Sequence, residues 1–201
     1  MKRFFALIIC ILMLTLAACG EIEYWTDNNG CYTVAGIGTC TDAQVVIPQT
    51  YKGVEVTSIN YLAFRYCTRL TTITIPDSVT SIRHGAFAGC SSLTSINIPS
   101  SVTSIDSAVF HSCSSLTSIT IPDSITSIGE YAFAYCTSLT SITIPDSVTS
   151  IDSFAFESCT SLTSITYTGT MEQWKAIALG NSWKSKVPAT EVICSDGAVS
   201  I

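Results

Sequence analysis

Five cysteines, Cys67, Cys90, Cys113, Cys136 and Cys159, recur at intervals of 23 residues. Thiols are the most reactive side chains in this sequence, so their spacing decides which chemistry is open. A metal site needs ligands that converge on one point, and a row of thiols in register does not converge. Disulfides between neighbours in such a row have a workable backbone separation but the wrong torsion for parallel side chains. The row is therefore expected as buried free thiols that pack as small apolar residues. Cys31 and Cys40 lie outside it. In an exported protein they can close one disulfide if the chain brings them face to face; an unbonded pair is the alternative. The two histidines, His84 and His111, fall at different places in the period and have no matching acid nearby. No G-x-S-x-G, phosphate-binding loop or zinc spacing occurs. Asp77, Asp123 and Asp146 line up, but Ser100 breaks the row. The serines occupy equal slots in successive periods, as lattice residues do. These residues argue against catalysis, a metal or a cofactor.

What remains is binding, and two sets of residues are candidates. Each period is counted from its leucine: Leu70, Leu93, Leu116, Leu139 and Leu162. Position two then carries Thr71, Thr94, Thr117, Thr140 and Thr163, and position five carries Thr74, Asn97, Thr120, Thr143 and Thr166. Hydroxyls at regular spacing suit a glycan or a protein backbone; strand propensity and solubility explain them equally well. The second set lies where the periods differ. Position sixteen reads Leu62, Gly85, Ala108, Tyr131, Phe154, and position twenty reads Tyr66, Gly89, Ser112, Tyr135, Ser158. If this segment is helical, Tyr131 and Tyr135 share a face and form an aromatic patch with Phe154. Exposed aromatics, Tyr66 included, are typical contact anchors. Partial burial against neighbouring periods is the alternative.

A strict 23-residue period means a stack of similar coils rather than a globule around a pocket. Positions one, four and six are apolar, as in Leu116, Ile119 and Ile121, and proline ends the strand at Pro76, Pro99, Pro122 and Pro145. Val79, Val102, Ile125 and Val148, with Ile82, Ile105, Ile128 and Ile151, give a second inward pair. A short helical turn burying Ala132-Phe133 and closing on Cys136 would complete the coil. Val45–Pro48 and Val56–Ile59 match an irregular first coil, interrupted by a loop at Tyr51-Lys52-Gly53. Residues 24–43 read as an N-terminal hairpin cap turning at Asn29-Gly30. Residues 44–167 hold the repeats, about six coils. Residues 168–201 read as a C-terminal cap. Its helix is capped by Thr170 and Gln173, carries Met171, Trp174 and Ala178 on one face, and stops at Gly180. A closing hairpin across Asp196-Gly197 follows.

The unit L-x-x-I-x-I-P-x-S-V-T-S-I-x-x-x-A-F-x-x-C resembles the BspA-like, or treponemal-type, leucine-rich repeat. Gly38-Thr39-Cys40-Thr41-Asp42 and Tyr167-Thr168-Gly169-Thr170 resemble that family's caps. Val109 replaces the usual alanine and Asn97 the usual strand threonine, neither a threat to the fold. The resemblance implies a strand-rich, right-handed α/β solenoid. It also implies adhesion to host matrix proteins or to other cells.

The N-terminus suggests where this happens. Lys2 and Arg3 precede an apolar run from Phe4 to Leu14, too short to span a bilayer comfortably. Residues 1–18 read as a secretory signal. Leu16-Ala17-Ala18-Cys19 resembles the bacterial lipobox, which implies that Cys19 is acylated and that residues 19–23 tether the domain close to a membrane. Ordinary cleavage after Ala18 is the alternative. Without Lys2 and Arg3 the chain keeps 7 basic and 15 acidic residues, net −8, a sign that disfavours nucleic acid. The expectation is a lipid-anchored surface protein of a bacterium that binds protein or glycan, or a structural repeat with no ligand of its own.

Overall fold

The computed structural model describes residues 22–26, 30–36 and 41–201. The signal, Cys19, the turn at Asn29, Cys40 and most of Gly38–Asp42 lie outside the described residues.

The chain winds as a solenoid whose coils have three sides. On the first side, Gln44–Val46 pairs in parallel with Thr72–Thr74. Bridges then link Asn97 to Thr120 and Thr120 to Thr143, and Ser141–Ile144, Ser164–Tyr167 and Glu191–Cys194 continue the parallel order. This column therefore has a seventh rung beyond the six expected. Ala189, Val192 and Cys194, all buried, fill the places of the first, fourth and sixth residues of a coil. At ~4.8 Å per step, six steps make the stack about 29 Å long.

On the second side, Val54–Ile59 pairs with Ser81–Ile82. Ser104–Ile105, Ser127–Ile128, Ser150–Ile151 and Ala178–Leu179 also pair in turn, all parallel. The third side is not helical, contrary to the sequence expectation. Positions sixteen, eighteen and twenty donate across to the next coil: Tyr131 to Ser153, Phe133 to Ala155 and Tyr135 to Glu157, at 3.3, 2.8 and 2.7 Å. The residues between them donate within the coil, as Ala132 does to Gly129 and Ala134 to Tyr131. The residues at positions sixteen and twenty supply the left-handed backbone that this alternation needs, with φ near +55° to +75°.

Phe64, Phe87, Phe110, Phe133 and Phe156 form the spine of the core. Each is fully buried, and successive rings stack with centroids 5.2 to 5.8 Å apart. The β-branched residues of the two strand sides line the rest. Val109 is accommodated in the core beside Phe110.

Both caps have identifiable causes. Glu23–Thr26 and Tyr32–Gly36 form the antiparallel hairpin expected at the N-terminus, and the second of these strands lies parallel to Val54–Ile59. The extra loop is a second hairpin, Thr50–Tyr51 against Val54–Glu55. Lys52 and Gly53 turn it with φ of +51° and +79°. At the other end Thr170 and Gln173 make the reciprocal capping box. The helix covers only Met171–Ala176. Ala178 is thus not on its face but in the strand Ala178–Leu179 that extends the second column. Nor is Gly180 a helix stop: a Cβ there would lie 2.2 Å from the Ser153 amide nitrogen, so glycine allows two coils to approach. The closing hairpin pairs Cys194 with Gly197, which puts its turn at Ser195-Asp196.

Candidate functional site

The cysteine column is internal. Cys90, Cys113, Cys136 and Cys159 are buried free thiols, and Cys67 is half-buried. Each buried Sγ donates to a phenylalanine carbonyl one coil back, from Cys90 to Phe64 through Cys159 to Phe133, at 3.1 to 3.3 Å. Burial pushes Cys113 and Cys159 up to about 12 and Cys136 well above the usual thiol value. The thiol–thiol contact with Cys67 raises Cys90 and lowers Cys67. Among the described residues no three His, Cys, Asp or Glu side chains gather as a metal site would require.

The hydroxyl ladders divide into two kinds. Ser78, Ser101, Ser124 and Ser147 donate to the carbonyls of Val56, Val79, Val102 and Ile125 in the preceding coil, at 2.5 to 2.8 Å. At position two, Thr71, Thr94, Thr117 and Thr163 also donate to the coil before. These side chains fasten coils together. Position five differs. Thr74, Asn97, Thr120 and Thr143 are exposed and Thr166 is half-exposed, and none of their side chains takes a hydrogen-bond partner among the described residues. Of the two threonine rows, one is lattice and one is open surface.

The aromatic set lies on the turn side. Tyr66 is 65% and Tyr135 42% exposed, while Tyr131 and Phe154 are half-buried. Tyr131 stacks on Phe154 with centroids 5.1 Å apart and planes 6° from parallel. His111 meets Tyr131 and Tyr135 at 6.5 and 5.5 Å, so the fold gathers these two tyrosines without the helix expected to do it. Burial lowers the His111 pKa, a nearby Glu157 opposes that and Arg65 reinforces it. Tyr66 stands apart from this group. Its ring lies over Gly89, where a Cβ would come within 2.3 Å of it, and Leu62 covers Gly85 in the same way. The glycines of one coil are seats for the large residues of the coil before, a pairing that spacing alone did not reveal.

Backbone geometry singles these aromatics out further. Tyr66, Tyr131, Tyr135 and Phe154 all sit at φ between +55° and +61°, a region that costs a non-glycine residue ~1 kcal/mol or more. Gly85 and Gly89 show that the fold accepts glycine at both positions. Bulky rings are held there against a local backbone cost.

The C-terminal end carries aromatics that sequence reasoning undervalued. Trp183 sits where the repeats have a small alanine, since Phe156 donates to its carbonyl as Phe133 does to that of Ala155. Its ring lies edge-on to Phe156 at 6.1 Å and meets Trp174 at 5.9 Å. Together they close the last layer. The half-filled alternation Ala189, Val192, Cys194 was the available signal.

The BspA type Leucine rich repeat region matches residues 57–185 in six copies. Among solved structures, a leucine rich cell surface protein from Faecalibacterium prausnitzii is 39% identical, with a TM-score of 0.71 over 80% of this chain and 41% of that one. A leucine-rich repeat protein from Bacteroides ovatus is 35% identical, with a TM-score of 0.73 over 86% and 45%. The T. pallidum Leucine Rich Repeat protein is 28% identical, with a TM-score of 0.70 over 80% and 78%. The chain thus spans less than half the length of the first two. Among proteins with curated descriptions none matches. Among the described residues no helix is long and apolar enough to cross a membrane. The six matched copies cover well over half of the sequence and coincide with the coils seen here, so the chain belongs to the BspA-type leucine-rich repeat family.

Proposed function

We propose that this protein is a cell-surface adhesion module, held to its membrane by acylation of Cys19, that binds a partner protein through the turn side of its coils. The reading is carried by one observation: Tyr131, Tyr135 and Phe154 gather large aromatic rings at left-handed turn positions that other coils fill with Gly, Ala or Ser. The turn needs the left-handed backbone in every coil but does not need the rings, and exposed aromatics are typical contact anchors. The likeness to a leucine rich cell surface protein supports the location. Tyr131, Tyr135 and Phe154 form the anchor cluster and Tyr66 a second contact. The test is capture of extracellular-matrix proteins by the immobilised chain. Replacing Tyr131, Tyr135 and Phe154 with Ser should lower capture at least tenfold while the stacked coils still melt cooperatively. Undiminished capture would remove the aromatic cluster from the reading.

A second reading is favoured by the unpartnered row Thr74, Asn97, Thr120, Thr143 and Thr166. A neutral row of outward hydroxyls and one amide at coil spacing suits a glycan. It predicts hits on a sugar array that disappear when Thr120 and Thr143 become Trp. A structural repeat without its own ligand predicts neither result.

A further inference from the structure

Charge on the turn side is segregated by coil. The first two coils carry Arg65 and Arg83 there, beside His84, and no acid. The next three carry Asp106, Glu130, Asp152 and Glu157. His111, between the two regions, feels both: Glu157 raises its pKa and Arg65 lowers it. In a chain of net charge −6, these basic coils are a local exception, as are Lys184 and Lys186 past the acidic coils.

That basic end is also organised. The Arg65 guanidinium lies 4.5 Å from the centre of the Tyr66 ring, and its Nη2 donates to the Tyr66 hydroxyl at 3.0 Å. An arginine held against an aromatic ring and its hydroxyl has lost part of its freedom already, and a guanidinium keeps further N–H donors with which to take a carboxylate. One coil on, the His84 ring stacks on Tyr61 at 5.2 Å and 13°. Tyr61 itself is 57% exposed, and Arg83 adjoins His84 in sequence. Backbone bonds from Leu62 to His84 and from Phe64 to Ala86 fix the two coils side by side.

We infer that Tyr61, Arg65, Tyr66, Arg83 and His84 form a docking patch for a short acidic peptide segment of the partner protein. This inference rests on the adhesion reading and names the chemistry of the partner. Two coils span ~10 Å, which an extended peptide covers in about three residues. The acidic band over coils three to five excludes a long uniform polyanion laid along the solenoid, such as a sulfated polysaccharide or an anionic membrane. A protein presenting a few carboxylates in one place fits beneath that limit, and its flanking residues reach the aromatic cluster further along.

The experiment uses a fluorescent peptide with three consecutive glutamates between Gly-Ser flanks, its glutamine counterpart, dextran sulfate and phosphatidylserine vesicles as probes of the whole chain. The glutamate peptide should bind saturably at low salt, weaken steeply by 200 mM salt, and bind at least tenfold less tightly after Arg65→Gln with Arg83→Gln. Both side chains are exposed, so the melting curve should not move. Equal binding of the two peptides, binding indifferent to the double substitution, or retention of dextran sulfate or vesicles alone would each overturn the inference. Matrix capture separates the two proposals. Capture lost with the Ser triple variant yet unchanged by the arginine substitutions would keep the adhesion reading and sink this one.

Discussion

Single side chains in this molecule declare their role by where their hydrogen bonds go. Ser124 donates to Val102 at 2.6 Å, whereas Ser118 is exposed on the strand side. Ser124→Ala should cost ~1 kcal/mol in a denaturant melt, and Ser118→Ala should stay within about 0.5 kcal/mol. Both serines repeat with the same period, which is why spacing marked them alike as lattice and only geometry parts them. The same holds for the threonine rows: periodicity shows that they are in register, but not which row bonds to a carbonyl of the coil before. The cysteine column, by contrast, was legible, because parallel stacking alone rules out convergence. Its chemistry makes a pH prediction. Cys113 and Cys159 rise to about 12 from an unperturbed 9.0, so ionisation is easier in the unfolded chain. The stability they contribute is complete below pH 9 and is lost as pH rises from 9 towards 12. Urea midpoints measured from pH 8 to 11 should fall, and fall less in Cys113→Ala than in the parent; an equal slope would contradict the assignment.

At the scale of one coil, the two strand sides follow from the pattern and the turn side does not. In L-x-x-I-x-I the fourth and sixth residues alternate with a period of two, the run is ended by Pro76 and its equivalents, and those rules carry directly to a strand. The segment x-A-F-x-x-C has apolar residues at helix-like intervals, so it reads as helical. What overrides this is the neighbouring coil: its carbonyls take the amides of positions sixteen, eighteen and twenty, and that requires left-handed residues at positions sixteen and twenty. Only Gly85 and Gly89 advertise the conformation, and the other coils hide it under Tyr, Phe, Ala and Ser. Replacing Tyr135 by either Gly or Ala removes the same ring. Ala retains the left-handed strain and Gly does not, so the Gly variant should be the more stable by ~1 kcal/mol. Matrix capture should drop equally in both. Equal melting of the two variants would show that this turn relaxes out of the conformation.

Across the whole molecule, stability is a matter of neighbours, because each coil touches only the coils before and after it. A residue in the middle of the phenylalanine spine has a ring on both sides, and one at the end needs a cap. Phe133 stacks on Phe110 and Phe156, so Phe133→Ala should cost ~3–5 kcal/mol and interrupt the stack at its centre. Trp183 closes the C-terminal end over Phe156 and against Trp174. Its removal acts from one side only. Trp183→Ala should therefore fray the molecule directionally, and hydrogen exchange can read this amide by amide. Protection should fall first at Phe154, Phe156 and Ser158, whose amides are held by Asn181, Trp183 and Ser185. Tyr131, Phe133 and Tyr135 should follow. Phe64 and Phe87, three or more coils away, should keep their parent rates. A loss spread evenly from Phe64 to Phe156 would mean that the coils open together, and the solenoid would then be one cooperative block rather than a chain of paired layers.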